Sequence, residues 1–215
     1  YYNETKTMRK LTLTIALMCS SLAQAQDAKL TSPLGSPQSY NPAFISSKDH
    51  HFRADYRWQW PGENQFRTLF ASYSHQFHKW AVGVQYINDK PGEHLTTHNV
   101  QIAAARKIMF SRKIGIVPGL GVGYFQNQID WEGLTFGDMI DPRRGLVYQT
   151  NDIPRGGTVS GIDFSAGISV IGTDRFRVGY ALHHLTQPNQ SLILGTSPLF
   201  LRQNVFALCQ FIAVP

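Results

Sequence analysis

The chain reads as an all-β protein, an antiparallel transmembrane β-barrel of the outer-membrane type. Three observations predict this. From residue 52 onward the dominant period of apolar residues is two. The alternating runs are mostly nine to thirteen residues long, where a tilted bilayer-crossing strand needs ~9–11 and an ordinary soluble strand has ~5–6. The connections between them alternate between long and short, as external loops and periplasmic turns do in such barrels.

The ends come first. YYNETKT, residues 1–7, precedes Met8 and reads as upstream read-through. Met8-Arg9-Lys10 is a basic head, LTLTIALMCSSL an apolar core, and Ala23-Gln24-Ala25 a small-x-small site. Residues 8–25 are therefore expected to be a secretory signal peptide cut after Ala25. A lipoprotein reading would need small residues before Cys19, and Leu17-Met18 fit badly. Cleavage leaves Cys209 as the sole cysteine, so the mature chain can make no internal disulfide. Residues 26–51 then form an N-terminal periplasmic segment and 52–215 the barrel. No other stretch approaches the ~18 unbroken apolar residues of a membrane helix.

The strands follow in order. Phe52, Ala54, Tyr56, Trp58 and Trp60 alternate with Arg53, Asp55, Arg57 and Gln59. Leu69, Ala71 and Tyr73 alternate less tidily with Phe70, Ser72 and Ser74. Trp80, Val82, Val84 and Tyr86 oppose Ala81, Gly83 and Gln85, and Val100, Ile102 and Ala104 oppose Gln101, Ala103 and Ala105. Ile114, Ile116, Leu120, Val122 and Tyr124 oppose Gly115, Val117, Gly119, Gly121 and Gly123. Ile162, Phe164, Ala166, Ile168 and Val170 oppose Asp163, Ser165, Gly167 and Ser169. Phe176, Val178, Tyr180 and Leu182 oppose Arg177, Gly179, Ala181 and His183, and a last run at 203–211 is apolar on both faces. About eight strands are thus visible. One face is large and apolar and the other small or polar, as lipid-facing and lumen-facing positions are. Trp58, Trp60, Trp80, Tyr86, Tyr124 and Phe176 lie toward strand ends, where an interfacial girdle places aromatics. Pro118 cannot donate to a ladder and predicts an interruption such as a bulge. Eight strands can close a small barrel, and a truncated larger one fits equally.

The connections are 61–66, 78–79, 89–97, 111–112, 126–160, 172–174 and 185–202, long and short in strict alternation. This orients the barrel: the N-terminus and the turns at 78–79, 111–112 and 172–174 are periplasmic, the others external. A secreted β-sandwich with one wet face explains neither the strand lengths nor this alternation. Charged residues are 16% and aromatics 12% of the chain, a balance suited to a surface facing outer-membrane lipid. After residue 25, seventeen Lys and Arg face thirteen acids. That excess, about +4, is too small and scattered to argue for nucleic acid.

The most concentrated motif is LTFGDMIDPRRGLVY, 134–148, in the longest external loop. Phe136, Gly137, Asp138, Asp141, Pro142, Arg143 and Arg144 form a candidate partner-contact motif. The acids are expected to pair with the two arginines, while Asp-Pro and glycine supply turn chemistry. A calcium site would recruit Asp130 and Glu132 as further oxygen ligands. Loop architecture or partner contact is the favoured reading, ahead of calcium and of catalysis. A second candidate set is the lumen-facing charges Arg53, Asp55, Arg57, Asp163 and Arg177. Buried charges need partners, so a cross-lumen Arg–Asp network is expected to brace the interior, with the 126–160 loop folding inward. The alternative is a water-filled pore. His183-His184 would point to opposite faces of a strand and could not share one metal. His50-His51 precedes the first strand and would need help from elsewhere to bind an ion. A hydrolase could use His183 and Ser191, but nothing orients the base. No cofactor, no metal and no enzymatic activity are expected.

Several segments resemble the PorP/SprF family of type IX secretion membrane proteins. They are YNPAF (40–44), RADYRWQWPG (53–62), GVQYINDKPGEH (83–94), IDWEGLTFGDMIDPRRGLVY (129–148), DFSAGI (163–168) and VGYALHHLTQPNQSL (178–192). They keep the family's order and spacing over most of 38–195. The resemblance implies an outer-membrane barrel, non-enzymatic, working in type IX protein secretion and gliding motility. Its implied partners are a secreted adhesin, whose export or surface anchoring it assists, or the proteins of a trans-envelope complex. Family members are usually longer, which favours a larger barrel whose C-terminal strands are incomplete here. The alternative from the transporter class is a channel for hydrophobic small molecules, like the fatty-acid transporters, which also carry an early NPA. That reading asks for a greasy pocket and an N-terminal plug.

Overall fold

The structure, a computed structural model, describes residues 36–45, 50–60, 66–131, 134–141, 143–146, 148, 150, 156–172, 176–193 and 195–209. The expected signal peptide and most of the expected periplasmic segment lie outside them. Among these residues eleven strands form in order: β1 His50–Gln59, β2 Phe66–Phe77, β3 Trp80–Pro91, β4 Leu95–Arg106, β5 Ile108–Met109, β6 Ile114–Ile129, β7 Ile140–Asp141, β8 Gly145–Leu146, β9 Thr158–Gly172, β10 Phe176–His183 and β11 Arg202–Cys209. Eight of them make one antiparallel sheet in the order β1-β2-β3-β4-β6-β9-β10-β11, with β5 added beside β6. Every sheet neighbour is the next long strand in the chain, so each pairing closes by the shortest available loop. The sheet curls into a half-barrel, as the strand pattern predicts.

The two faces are made by alternation alone. On the convex face Phe52, Ile102, Leu120, Ile162 and Val205 leave between 58% and 77% of their surface exposed. An apolar surface this continuous marks a face made to meet a membrane or another apolar surface. The concave face carries Gly83, Gly119, Gly121, Ser72, Ser74, Ser165 and Ser169, all buried. Two Trp–Arg pairs mark the ends of the convex band. The Arg67 guanidinium lies 5.6 Å from the Trp58 ring centre, and that of Arg106 5.2 Å from Trp80. On β2, Arg67 and Phe77, which pairs with Trp80, are ten residues apart. That is ~33 Å along a strand, or ~25 Å across the membrane at the usual tilt, the height of a barrel's apolar band.

Several boundaries differ from the sequence reading. β1 starts at His50, two residues early. β3 and β4 stay paired out to Asp89 and Thr97, so the expected 89–97 loop shrinks to 92–94. The long–short alternation is therefore not strict. These strand ends, INDKP and LTTHN, are mostly polar on both faces and leave no hydrophobic period to read. Pro118 makes no bulge, because Val117, Pro118 and Gly119 pair in step with Ser169, Ile168 and Gly167. Its effect falls on the other neighbour. β4 ends at Arg106, level with Pro118, and β5 resumes the same register at Ile108, which is the break a missing N–H produces. The ambiguous run at 203–211 resolves in β11, with Val205 outward and Phe206 inward.

Residues 36–45, part of the expected N-terminal segment, pack on the concave face of the sheet. Two 3-10 turns, Pro37–Ser39 and Pro42–Phe44, carry the segment against β4, β6, β9 and β10. Ala43 and Ile45 join Ala103, Ala105 and Val117 in a buried apolar cluster.

Candidate functional site

The 134–148 motif folds on itself. Gly137–Met139 form a 3-10 turn, and β7 pairs with β8 through Ile140 with Leu146 and Asp141 with Gly145. Gly145 has φ +77°, the left-handed conformation a tight hairpin needs. Asp141 organises the turn. Its Oδ1 accepts the backbone N–H groups of Arg143 (2.8 Å) and Arg144 (2.9 Å), and its Oδ2 accepts the Tyr148 hydroxyl at 3.1 Å. Those bonds, Arg143 and then Arg144 first, hold the carboxyl below the usual carboxylate range. Asp138 accepts the Thr150 hydroxyl at 3.1 Å. Phe136 stacks on Trp131 at 6.1 Å. The sequence reading expected acid–guanidinium pairs; Asp141 instead takes the main chain of the two arginines, which leaves both side chains exposed. A backbone N–H two or three residues ahead is simply the nearer donor. Pro142 and Glu132 lie outside the described residues. Among the described residues no three acidic, histidine or cysteine side chains cluster as a metal site.

The lumen charges are all concave, and the contacts described for them are separate ones. Arg53 pairs with Asp55 two residues along the same strand, because alternation puts both on one face of β1. Arg57 lines an open cavity of about 170 Å³ with Gln59, Thr68 and Asp89. Asp163 accepts from the His184 ring at 2.7 Å and from the Thr186 hydroxyl at 3.2 Å, tying β9 to the chain after β10. Arg177 donates to Ser169 Oγ at 3.1 Å and to the Ala43 carbonyl, with its guanidinium 4.5 Å from the Phe44 ring centre. Among the described residues the bracing across the sheet runs through other contacts than Arg–Asp pairs. Arg177 braces the sheet against the N-terminal segment, and a polar relay runs Ser39–Gln85–Gln101–Ser165 at 2.8, 2.5 and 2.8 Å. It crosses β6 over Gly121, which lacks the side chain that would block it.

Both central histidines turn inward, against the alternation expected of them. β10 ends at His183, and His184 has φ +60°, so the chain leaves the strand and both rings are buried. They stand 6.3 Å apart with different partners. His183 Nε2 meets the Tyr40 carbonyl at 2.9 Å, and His184 meets Asp163. Ser191 donates to the Ile193 carbonyl at 2.6 Å, so the two residues of the hydrolase reading are each engaged elsewhere. His50 begins β1, stacks on His75 at 4.3 Å and meets the Tyr73 hydroxyl at 2.8 Å.

The residues that sequence reasoning missed are those that hold residues 36–45: Asn204, Phe206, Gly119, Gly167 and Gly179. A signal was present. The inward positions of β6 are glycine at 115, 119, 121 and 123, and a concave face stripped of side chains must be filled by something else.

A curled antiparallel sheet with an apolar exterior and a small, polar interior defines a membrane β-barrel protein. The family model of the type IX secretion system membrane protein PorP/SprF matches residues 22–207. The chain belongs to that family and is a membrane component of type IX secretion. No curated protein and no solved structure matches it.

Proposed function

We propose that the protein is a non-enzymatic outer-membrane component of type IX secretion, acting through protein contacts. It assists export of a secreted adhesin, holds that adhesin at the surface, or joins the trans-envelope assembly. The family match over residues 22–207 carries this reading. The 134–148 loop supports it: Asp141 is spent on its own turn, while Phe136 stacks on Trp131 and Arg143 and Arg144 stay exposed for a partner. In the proposed orientation this loop faces outward. Crosslinking in secreting cells followed by purification is expected to recover a secreted adhesin or envelope proteins, and Arg143→Ala with Arg144→Ala to lower the yield severalfold. Recovery of the barrel alone would overturn the reading.

The hydrophobic-solute channel has one observation in its favour, the N-terminal segment inside the sheet. It also asks for a greasy pocket, whereas the inner face around that segment carries Ser72, Ser74, Gln85, Gln101, Ser165 and Ser169. Co-purification of a lipid-like ligand in the lumen would favour it.

A further inference from the structure

We propose that the concave face is a recognition site for a peptide turn of the Tyr-Asn-Pro-Ala-Phe type, filled in cis by residues 36–45 as a plug. The sheet is cut to the shape of this segment. A Cβ on Gly119 of β6 would lie 2.6 Å from Ala43 N and 2.7 Å from the Pro42 carbonyl carbon. One on Gly179 of β10 would lie 2.6 Å from Asn41 Nδ2, one on Gly83 of β3 2.6 Å from Gln38 Oε1, and Gly167 of β9 lies directly under Asn41. Glycine inside a strand destabilises it relative to alanine, so four strands give up stability where the segment sits. Gly123, on the same face of β6, marks the limit of the seat: its Cβ would meet nothing nearer than 3.6 Å.

The contacts read the segment's main chain and its aromatic side chains separately, as peptide sites do. The Tyr40 carbonyl receives Asn204 Nδ2 at 3.0 Å and faces His183 Nε2 at 2.9 Å, and the Ala43 carbonyl receives Arg177. Asn41 is fully buried. Its Oδ1 accepts the Ala43 N–H at 2.7 Å and its Nδ2 reaches the Ile168 carbonyl at 3.4 Å. Phe44 is fitted between the Arg177 guanidinium and Phe206, which meets it edge-on at 5.2 Å, while Tyr40 stacks on Phe206 at 6.0 Å. Only residues 46–49 separate the segment from β1. A tether that short gives an effective concentration of order mM or more, so occupation in cis is the resting state.

Hydrogen exchange read by mass spectrometry on the full chain in detergent tests this. The amides of Ala43 and Phe44 are expected to exchange far more slowly than in the free peptide SPQSYNPAFI. Gly119→Val is expected to raise exchange across 36–45 at least tenfold, and Gly123→Val to leave it unchanged. Asn204→Ala removes one donor without adding bulk, and a severalfold rise confined to 36–45 is expected there even if Gly119→Val does not fold. Free-peptide exchange in the unaltered protein, equal exchange in the two valine variants, or no response to Asn204→Ala would overturn the proposal. None of these outcomes depends on which secretion partner the protein has.

Discussion

Two segments outside the main strands are held in opposite ways. The 134–148 loop is held by itself and by Trp131 and Thr150 just beside it: a short hairpin, one carboxylate on two neighbouring N–H groups, and a surface left largely to water. The 36–45 segment has almost no structure of its own beyond two 3-10 turns; side chains on β3, β10 and β11 hold it, and it sits on the glycines of β6 and β9. Replacing the first is expected to leave the sheet intact. The second completes the interior, so the barrel's packing depends on it. Local bonds order a loop, whereas bonds between distant parts of a chain join its elements into one fold.

Arg177→Ala would break the contrast most severely. It strips the Ala43 carbonyl and Ser169 of a charged donor and uncovers Phe44. A loss of ~2–3 kcal/mol is expected, read as a lower unfolding midpoint together with faster exchange in 36–45. Gly121→Ala comes next. The added methyl meets Ser165 Oγ and lies 3.0 Å from Gln101 Nε2, interrupting the relay over β6. About 1 kcal/mol is expected, with the segment still seated because Arg177 and Asn204 are untouched. Asp141→Ala is expected to leave the unfolding midpoint unchanged while protease nicking within 134–148 speeds up severalfold. Acid sharpens the same point. The Asp141 carboxyl sits below its unfolded value, so its hold on the turn is fully present above that value and fades as pH falls through the lowered one. Nicking of the loop should rise only at strongly acidic pH, and should not change near neutrality.

What sequence reasoning recovered, and what it lost, follows one physical line. Wherever one face meets an apolar medium and the other a polar one, as along Phe52–Trp58 or Ile114–Tyr124, the period of two is visible and the strand was read correctly. Where both faces are polar, at INDKP and LTTHN, the strand runs on unseen. The turn chemistry of Asp141 and Gly145 was legible because it is local, although the partner was misjudged as a guanidinium. Asn41 and Arg177 were in view as residues, but not as partners of one another's segment, since more than 130 positions separate them.

The alternation of side chains determined by itself that this chain makes a meander of long antiparallel strands with a greasy outside, because strand geometry converts period two directly into two faces. The family's motifs could likewise be read without a fold. Only the tertiary structure decided what fills the inside. Glycines record an absence of side chains and not the identity of the occupant, and the occupant, YNPAF, has no period to betray where it docks. Its place is set by long-range complementarity between two carbonyls and the donors of Arg177, His183 and Asn204, which exists only once the sheet has curled.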